Sequence, residues 1–386
     1  MRFILFFLLL FTIACTAQNI DHLKVGAECT SSYYSLLGDK NIGLVVNQSS
    51  LVNNKHLVDV LLENNFSIER IFSPEHGFRG KADAGEKVNS SIDEQTGIPI
   101  VSLYGSNKKP KPDQLAGIDI VLFDLQDVGV RFYTYISTMH YVMEACADKN
   151  IPFIVLDRPN PNGDYFDGPV LEPDYKSFVG MHPIPIVHGL TVGELAMMIN
   201  GESWLSDSLT CDLSVVKMNG WNHSTKYKLP IKPSPNLPNY NSIRLYPSLC
   251  LFEPTQISIG RGTYSPFEIL GFPNSSIGNY TFTPQSIDGM SKYPKHENVE
   301  CKGLDLRNSS NQSSFSLDYL LQFYRAYPDK SEFFTNKRFF NLLVGNSSLI
   351  QQLKEGKSEL EIRASWQDDL SKYSKLRDKY LLYPKE

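Results

Sequence analysis

Cysteine is sparse in this 386-residue chain, and its spacing is wrong for metal work. There are 6 cysteines, no two of them in a CxxC pair, which removes the common zinc sites. HxH, HExxH and DxD spacings are missing too. Asp83, Asp124, Asp127, His140 and His188 could donate to a metal, but no pattern gathers them, and neither a metal nor another cofactor is expected. No GxGxxG follows the first strand-like run and no GxxxxGK[ST] occurs, so the usual dinucleotide and nucleotide loops are excluded. The net charge is -5 with no basic block to offset it, which argues against nucleic-acid binding. Internal repeats and long low-complexity tracts are likewise absent.

What is present is an ordinary globular balance, 41% hydrophobic and 20% charged, in a chain long enough for two domains. Aromatic residues reach 12%. Carbohydrate sites use aromatic platforms, but most of these rings are needed for the core. The opening "MRFILFFLLLFTIACTAQN" has a basic start at Arg2, an apolar stretch from Phe3 to Ala14, and small residues around Cys15. It reads as a secretory signal over residues 1–17, too short for a comfortable membrane span. "TIAC" also has the form of a loose lipobox, which would make Cys15 a lipid attachment point; simple cleavage after Ala17 is the alternative. Both place the mature chain outside the cytoplasm, either secreted or periplasmic. Of the remaining cysteines, Cys146 falls in a helical pattern as a small buried hydrophobe, and no disulfide can be assigned.

The first half alternates apolar runs with helical spacing. "NIGLVV", "SIERIF", "IPIVSL", "IDIVLF" and "IPFIVL" read as strands, and "HLVDVLLENN" and "TYISTMHYVMEACADKN" as helices. Thr191 and Glu194 form a capping-box pattern that opens another helix. Continuous apolar strands separated by helices predict a Rossmann-like α/β domain with a parallel sheet covered on both faces. We place it over residues 20–255. The Pro-, Gly- and Asn-rich stretch from Lys232 leads into a smaller α+β auxiliary domain over residues 256–386.

In such sheets ligands bind beyond the carboxyl ends of the strands. Polar clusters fall there repeatedly: Glu75 and His76 after "SIERIF", Tyr104 after "IPIVSL", Asp124 and Asp127 after "IDIVLF", and Asp157, Arg158 and Asn160 after "IPFIVL". Glu75, with Ile71, Phe72 and Phe78 as apolar neighbours, suits a general acid whose carboxyl must hold its proton. It could instead cap the loop, or pair with Arg79 or Lys81. His76 could orient Glu75 or contact substrate. In "FDLQDVGVRFYTY", Asp124 or Asp127 could brace Glu75 or polarise a substrate amide, or could instead cap the turn and pair with Arg131. Arg261, between glycines in "SIGRGT", has the setting of an anion contact or of a structural turn.

The stretches "SPEHGFRG", "VSLYG", "LFDLQDVGVRFYTY", "LDRPNPNG", "GLTVGELA" and "YPSLCLFEPTQISIGRGT" together resemble the exo-β-N-acetylmuramidases of the NamZ type. "LFEPT" stands where "LFEGT" would be expected. The resemblance implies a Rossmann-like catalytic domain, an auxiliary domain, and an active-site cleft between them. It implies release of N-acetylmuramic acid (MurNAc) from the non-reducing end of peptidoglycan-derived MurNAc-GlcNAc oligosaccharides, with Glu75 as the catalytic glutamate. Hydrolysis assisted by the 2-acetamido group needs one acid/base and a group to hold the amide, not two flanking carboxylates. Asp124 or Asp127 would orient the acetamide and Tyr133 would bond near it. Arg79, Arg131 and Arg261 are candidates for the lactyl carboxylate. The alternative is a non-catalytic lipoprotein on the same fold that captures cell-wall sugars.

Overall fold

The structure, a computed structural model, describes residues 23–75, 77–78, 91–308 and 314–386. The N-terminal signal with Cys15, and the site candidates His76 and Arg79, lie outside the described residues.

After a single turn α1 (Tyr34–Leu37), the chain runs β1 (Asn41–Val46), a hairpin of β2 (Leu51–Val52) and β3 (Lys55–His56), α2 (Leu57–Glu63) and β4 (Ser67–Ser73). Then come β5 (Ser91–Ile92), β6 (Pro99–Ser102), β7 (Ile120–Asp124), α3 (Tyr135–Lys149), β8 (Phe153–Leu156), α4 (Val192–Gly201) and β9 (Leu213–Val216). Seven strands form one sheet in the order β5-β6-β4-β1-β7-β8-β9. All neighbours are parallel except the edge strand β5. The chain starts near the middle at β1 and moves outward to one side before crossing to the other, which opens a crevice at the strand ends beside β1.

Both sheet faces are buried, so the strands alternate between two cores. Ile42, Leu44, Ile120, Leu122 and Ile154 face the cluster under α2. Val45, Phe72, Val121, Phe123 and Phe153 face the cluster under α3 and α4. The expected capping box is formed: Glu194 N–H donates to Thr191 Oγ1 at 3.2 Å, and Thr191 N–H donates to Glu194 Oε2 at 2.9 Å.

The second half begins with α5 (Tyr240–Leu249) and has a three-stranded antiparallel sheet, β10 (Ile269–Phe272), β11 (Tyr280–Phe282) and β12 (Cys301–Asp305), in the order β10-β12-β11. Five helices follow: α6 (Asp318–Ala326), α7 (Lys337–Val344), α8 (Ser348–Lys354), α9 (Glu359–Ala364) and α10 (Gln367–Arg377). This is the smaller α+β unit. It does not stand apart, because the cluster under α3 and α4 continues without a break through Phe252, Phe323, Phe340 and Tyr373. The five described cysteines, Cys29, Cys146, Cys211, Cys250 and Cys301, are unpaired. No described helix is long and apolar enough to cross a membrane.

Candidate active site

Strand register brings the first two site residues together. Ser73 at the end of β4 pairs with Ser102 at the end of β6, and Leu103 N–H extends the ladder to Ser73 O at 2.8 Å. Two residues further along each strand stand Glu75 and Tyr104, side by side on the same edge. The Tyr104 hydroxyl donates to the Glu75 carboxylate. Burial first, and then the Glu75 charge, hold the Tyr104 phenol well above its ordinary pKa, so it remains a donor. The Glu75 backbone is set by a turn in which Gly77 N–H donates to Pro74 O at 3.1 Å. Gly77 has φ 74°, a left-handed conformation suited to glycine.

Glu75 opens on a cleft of about 720 Å³ between the two halves of the molecule. Tyr104, Phe132 and Thr134 line it from the first half, and Tyr246, Glu253, Arg261, Lys292 and Tyr293 from the second. A side chamber of about 90 Å³ adjoins it and shares Glu75, Phe132, Thr134, Tyr246 and Arg261 with the main cleft. Its further walls include Tyr133, Tyr135, Asn236 and Phe267. The Tyr133 and Tyr135 rings meet edge to face at 4.8 Å. Tyr133 donates to Pro233 O at 2.9 Å, and Tyr135 accepts from Asn47 Nδ2 at 2.9 Å. The chamber is therefore a box of aromatic rings with fixed hydroxyls.

Arg261 donates from Nε and Nη2 to Glu253 Oε1 at 2.8 and 2.6 Å, and both side chains remain about a quarter exposed, at 26% and 25%. The turn that carries Glu253 is tied from behind by Lys295. Its Nζ donates to the carbonyls of Phe252, Glu253 and Ile257 at 3.2, 3.3 and 3.0 Å, and to that of Thr255. Burial pushes the Lys295 ammonium down to about 8. Pro254, at the position where a glycine was expected, is compatible with this turn because it is not among the positive-φ residues. Its carbonyl accepts from Thr335 and Asn336 at 3.0 and 3.3 Å.

Four residues expected at the site are engaged elsewhere. Asp124 is fully buried and gripped by Arg158, Nε to Oδ1 at 2.5 Å and Nη2 to Oδ2 at 2.8 Å, which ties the ends of β7 and β8. Asp127 Oδ2 caps the Gly129 N–H at 2.7 Å with His188 Nε2 3.3 Å away. Asn160 closes its own turn on the Asn162 N–H at 2.8 Å and donates to Leu190 O at 2.8 Å. Arg131 is wholly buried, and its guanidinium donates to four carbonyls: Pro169 at 2.8 Å, Ile184 at 2.7 Å, Leu343 at 2.9 Å and Val344 at 2.7 Å. The last two belong to the C-terminus of α7, whose carbonyls need donors. None of these four lines the cleft or its side chamber. Tyr104, Tyr133 and Arg261 do line them. Glu253, Tyr246 and Asn236 also do, and sequence reasoning passed over all three; for Glu253 the available signal was its place in "LFEPT". His140 is a core histidine and no metal donor to the cleft, with Nε2 3.1 Å from Glu144 Oε1. Among the described residues, no group of three or more His, Cys, Asp or Glu is arranged to hold a metal.

The profile of the N-terminal part of exo-β-N-acetylmuramidase NamZ matches residues 42–241, and that of its C-terminal part matches residues 244–383. The chain belongs to the exo-β-N-acetylmuramidase NamZ family. A family member from Bacillus subtilis, the peptidoglycan β-N-acetylmuramidase NamZ, is 42% identical over 372 residues, covering 91% of this chain and 89% of that protein. Crystal structures of two DUF1343 family proteins from Bacteroides fragilis are also similar. One is 47% identical with a TM-score of 0.87, and the other 31% identical with a TM-score of 0.80; each match covers 94% of this chain and 99% of the other.

Proposed function

We propose that the chain removes terminal MurNAc from peptidoglycan-derived MurNAc-GlcNAc oligosaccharides by substrate-assisted hydrolysis, with Glu75 as acid and then base. As a member of the NamZ family it is an exo-β-N-acetylmuramidase, a glycosidase. The observation that carries the mechanism is the cleft's carboxylate inventory. Among the described residues lining it, the carboxylates are Glu75 and Glu253, and Glu253 is committed to Arg261. A mechanism with two flanking carboxylates lacks an unengaged partner for Glu75. The nucleophile is then the substrate's own acetamide oxygen.

Glu75 gives its proton to the glycosidic oxygen as the C1–O bond breaks, and the acetamide carbonyl closes onto C1. Water then opens the cyclic intermediate, with Glu75 taking its proton, and the anomeric configuration is retained. Tyr104 donates to Glu75 and so stabilises the carboxylate formed when the proton leaves. The aromatic side chamber next to Glu75 receives the acetamide methyl. Arg261, at the border between chamber and cleft, receives the lactyl carboxylate. Its Nη1 makes no hydrogen bond among the described residues, so those donors remain for the ligand after Glu253 has taken Nε and Nη2.

Replacing the N-acetyl group of a muramide substrate by mono-, di- and trifluoroacetyl should lower kcat stepwise, because each fluorine weakens the attacking carbonyl oxygen. A kcat that is flat across the series would mean that a protein group attacks C1. We place this activity outside the cytoplasm, where peptidoglycan lies, on the pattern of Arg2, the apolar run and Cys15. Radiolabelled fatty acid should enter the wild-type chain and not Cys15→Ser. Labelling of neither, with export intact, would leave plain secretion.

A further inference from the structure

Among the described residues only two aromatic side chains are left largely bare to solvent, Tyr264 at 82% and Tyr293 at 90%. The exposed aliphatic residues are scattered, in α1, α2, β5 and α9 and at Val299, and single exposed apolar residues are ordinary. The segments that carry the two tyrosines are in contact. The turn 260–264 packs on the segment 293–295 so tightly that a Cβ on Gly262 would stand 2.6 Å from Pro294 Cβ. Gln285 N–H donates to Gly262 O at 2.8 Å and Thr263 N–H to Gly260 O at 3.1 Å, which fixes the backbone leading to Tyr264. Lys295, two residues beyond Tyr293, is tied to the Glu253 turn by the four carbonyl contacts described above.

Tyr293 lines the main cleft together with Glu75, whereas the side chamber includes Glu75 and not Tyr293. Glu75 therefore belongs to both spaces and Tyr293 to one. With the acetamide of the terminal sugar in the chamber and the glycosidic oxygen at Glu75, the rest of the glycan leaves along the main cleft, whose walls include Tyr293. A β-linked 2-acetamido-pyranose has axial C–H groups on its ring faces, and a flat ring held by rigid backbone is the complement of such a face.

We infer that Tyr293 is the stacking platform for the first sugar beyond the scissile bond, and that Tyr264 continues it for the next sugar. This rests on the reading of Glu75 and the side chamber given above. The consequence is that affinity grows with glycan length past the terminal residue.

The test uses the full chain carrying Glu75→Gln, so that ligands persist, and titrates methyl N-acetylmuramide, the MurNAc-GlcNAc disaccharide and the tetrasaccharide by calorimetry. Adding Tyr293→Ala should shrink the affinity gained from methyl muramide to disaccharide by about tenfold, equivalent to about 1.4 kcal/mol. Tyr293→Phe, which keeps the ring face, should preserve that gain. Tyr264→Ala should reduce only the step from disaccharide to tetrasaccharide. An unchanged gain in Tyr293→Ala overturns the platform. So does an equal loss for all three ligands, which would put Tyr293 against the terminal sugar. A wild type that binds these sugars with the predicted length dependence but hydrolyses none would defeat the catalytic reading and leave the platform standing.

Discussion

Glu75→Gln is expected to lower kcat on the MurNAc-GlcNAc disaccharide by about 10²–10⁴-fold, the usual contribution of general acid–base catalysis. The substitution keeps the shape of the side chain and removes the proton that must reach the leaving oxygen. Little else should change. Glu75 sits in a turn closed by Gly77 N–H on Pro74 O, which does not involve its carboxylate. The Tyr104 hydroxyl can donate to an amide oxygen as it does to the carboxylate. Thermal unfolding should therefore match the wild type while turnover collapses. The disaccharide is the right substrate, because an activated aryl leaving group needs less protonation and would mask the loss. Near-normal turnover with the disaccharide would remove Glu75 from the acid role and turn attention to Glu253.

Two arginines that look interchangeable in sequence should fail in different ways. In Arg131→Ala, four buried carbonyls lose their donor at once, two of them at the end of α7. Breaking a buried charged network of this kind costs about 3–5 kcal/mol. For a chain of this size that is a drop in Tm of about 4–6 °C. The gap would lie between Gly345 and the loop after β7, since a Cβ on Gly345 would come within 2.6 Å of Arg131 Nη2. Arg261→Ala should leave Tm within about 1 °C, because its pair with Glu253 is partly solvated and contributes about 1 kcal/mol or less. Its loss should instead fall on the choice of sugar. MurNAc and GlcNAc glycosides share the acetamide and differ in the lactyl carboxylate. Removing the cation for that carboxylate costs about 2–5 kcal/mol, or tens to thousands in preference. The decisive readout is the ratio of kcat/KM for the two glycosides beside the melting curve. A stable Arg131→Ala that has lost its preference for MurNAc would reverse the two assignments.

The α/β architecture was legible because each strand buried on both faces left a continuous apolar run, and each helix left its period. The edge that carries the site was legible for the same reason: once "SIERIF" and "IPIVSL" are parallel neighbours, Glu75 and Tyr104 must leave the sheet at the same end. The aromatic stretch after "LFD" likewise announced Tyr133, which walls the side chamber. What sequence alone could not decide was which polar residues at that edge already had partners. Asp124 and Arg158, 34 positions apart, satisfy each other across β7 and β8. Arg131 finds its carbonyls as far as 213 positions away, in a helix of the other half. Arg261 and Glu253 become a site element only because the second half folds back over Glu75 and supplies the far wall of the cleft. A residue's type and its place at a strand end set the chemistry available to it. Whether that chemistry is spent on the protein's own buried polar groups or left for a ligand depends on contacts that no local pattern encodes, since burying an unpaired polar group is costly and the partner can come from anywhere in the chain.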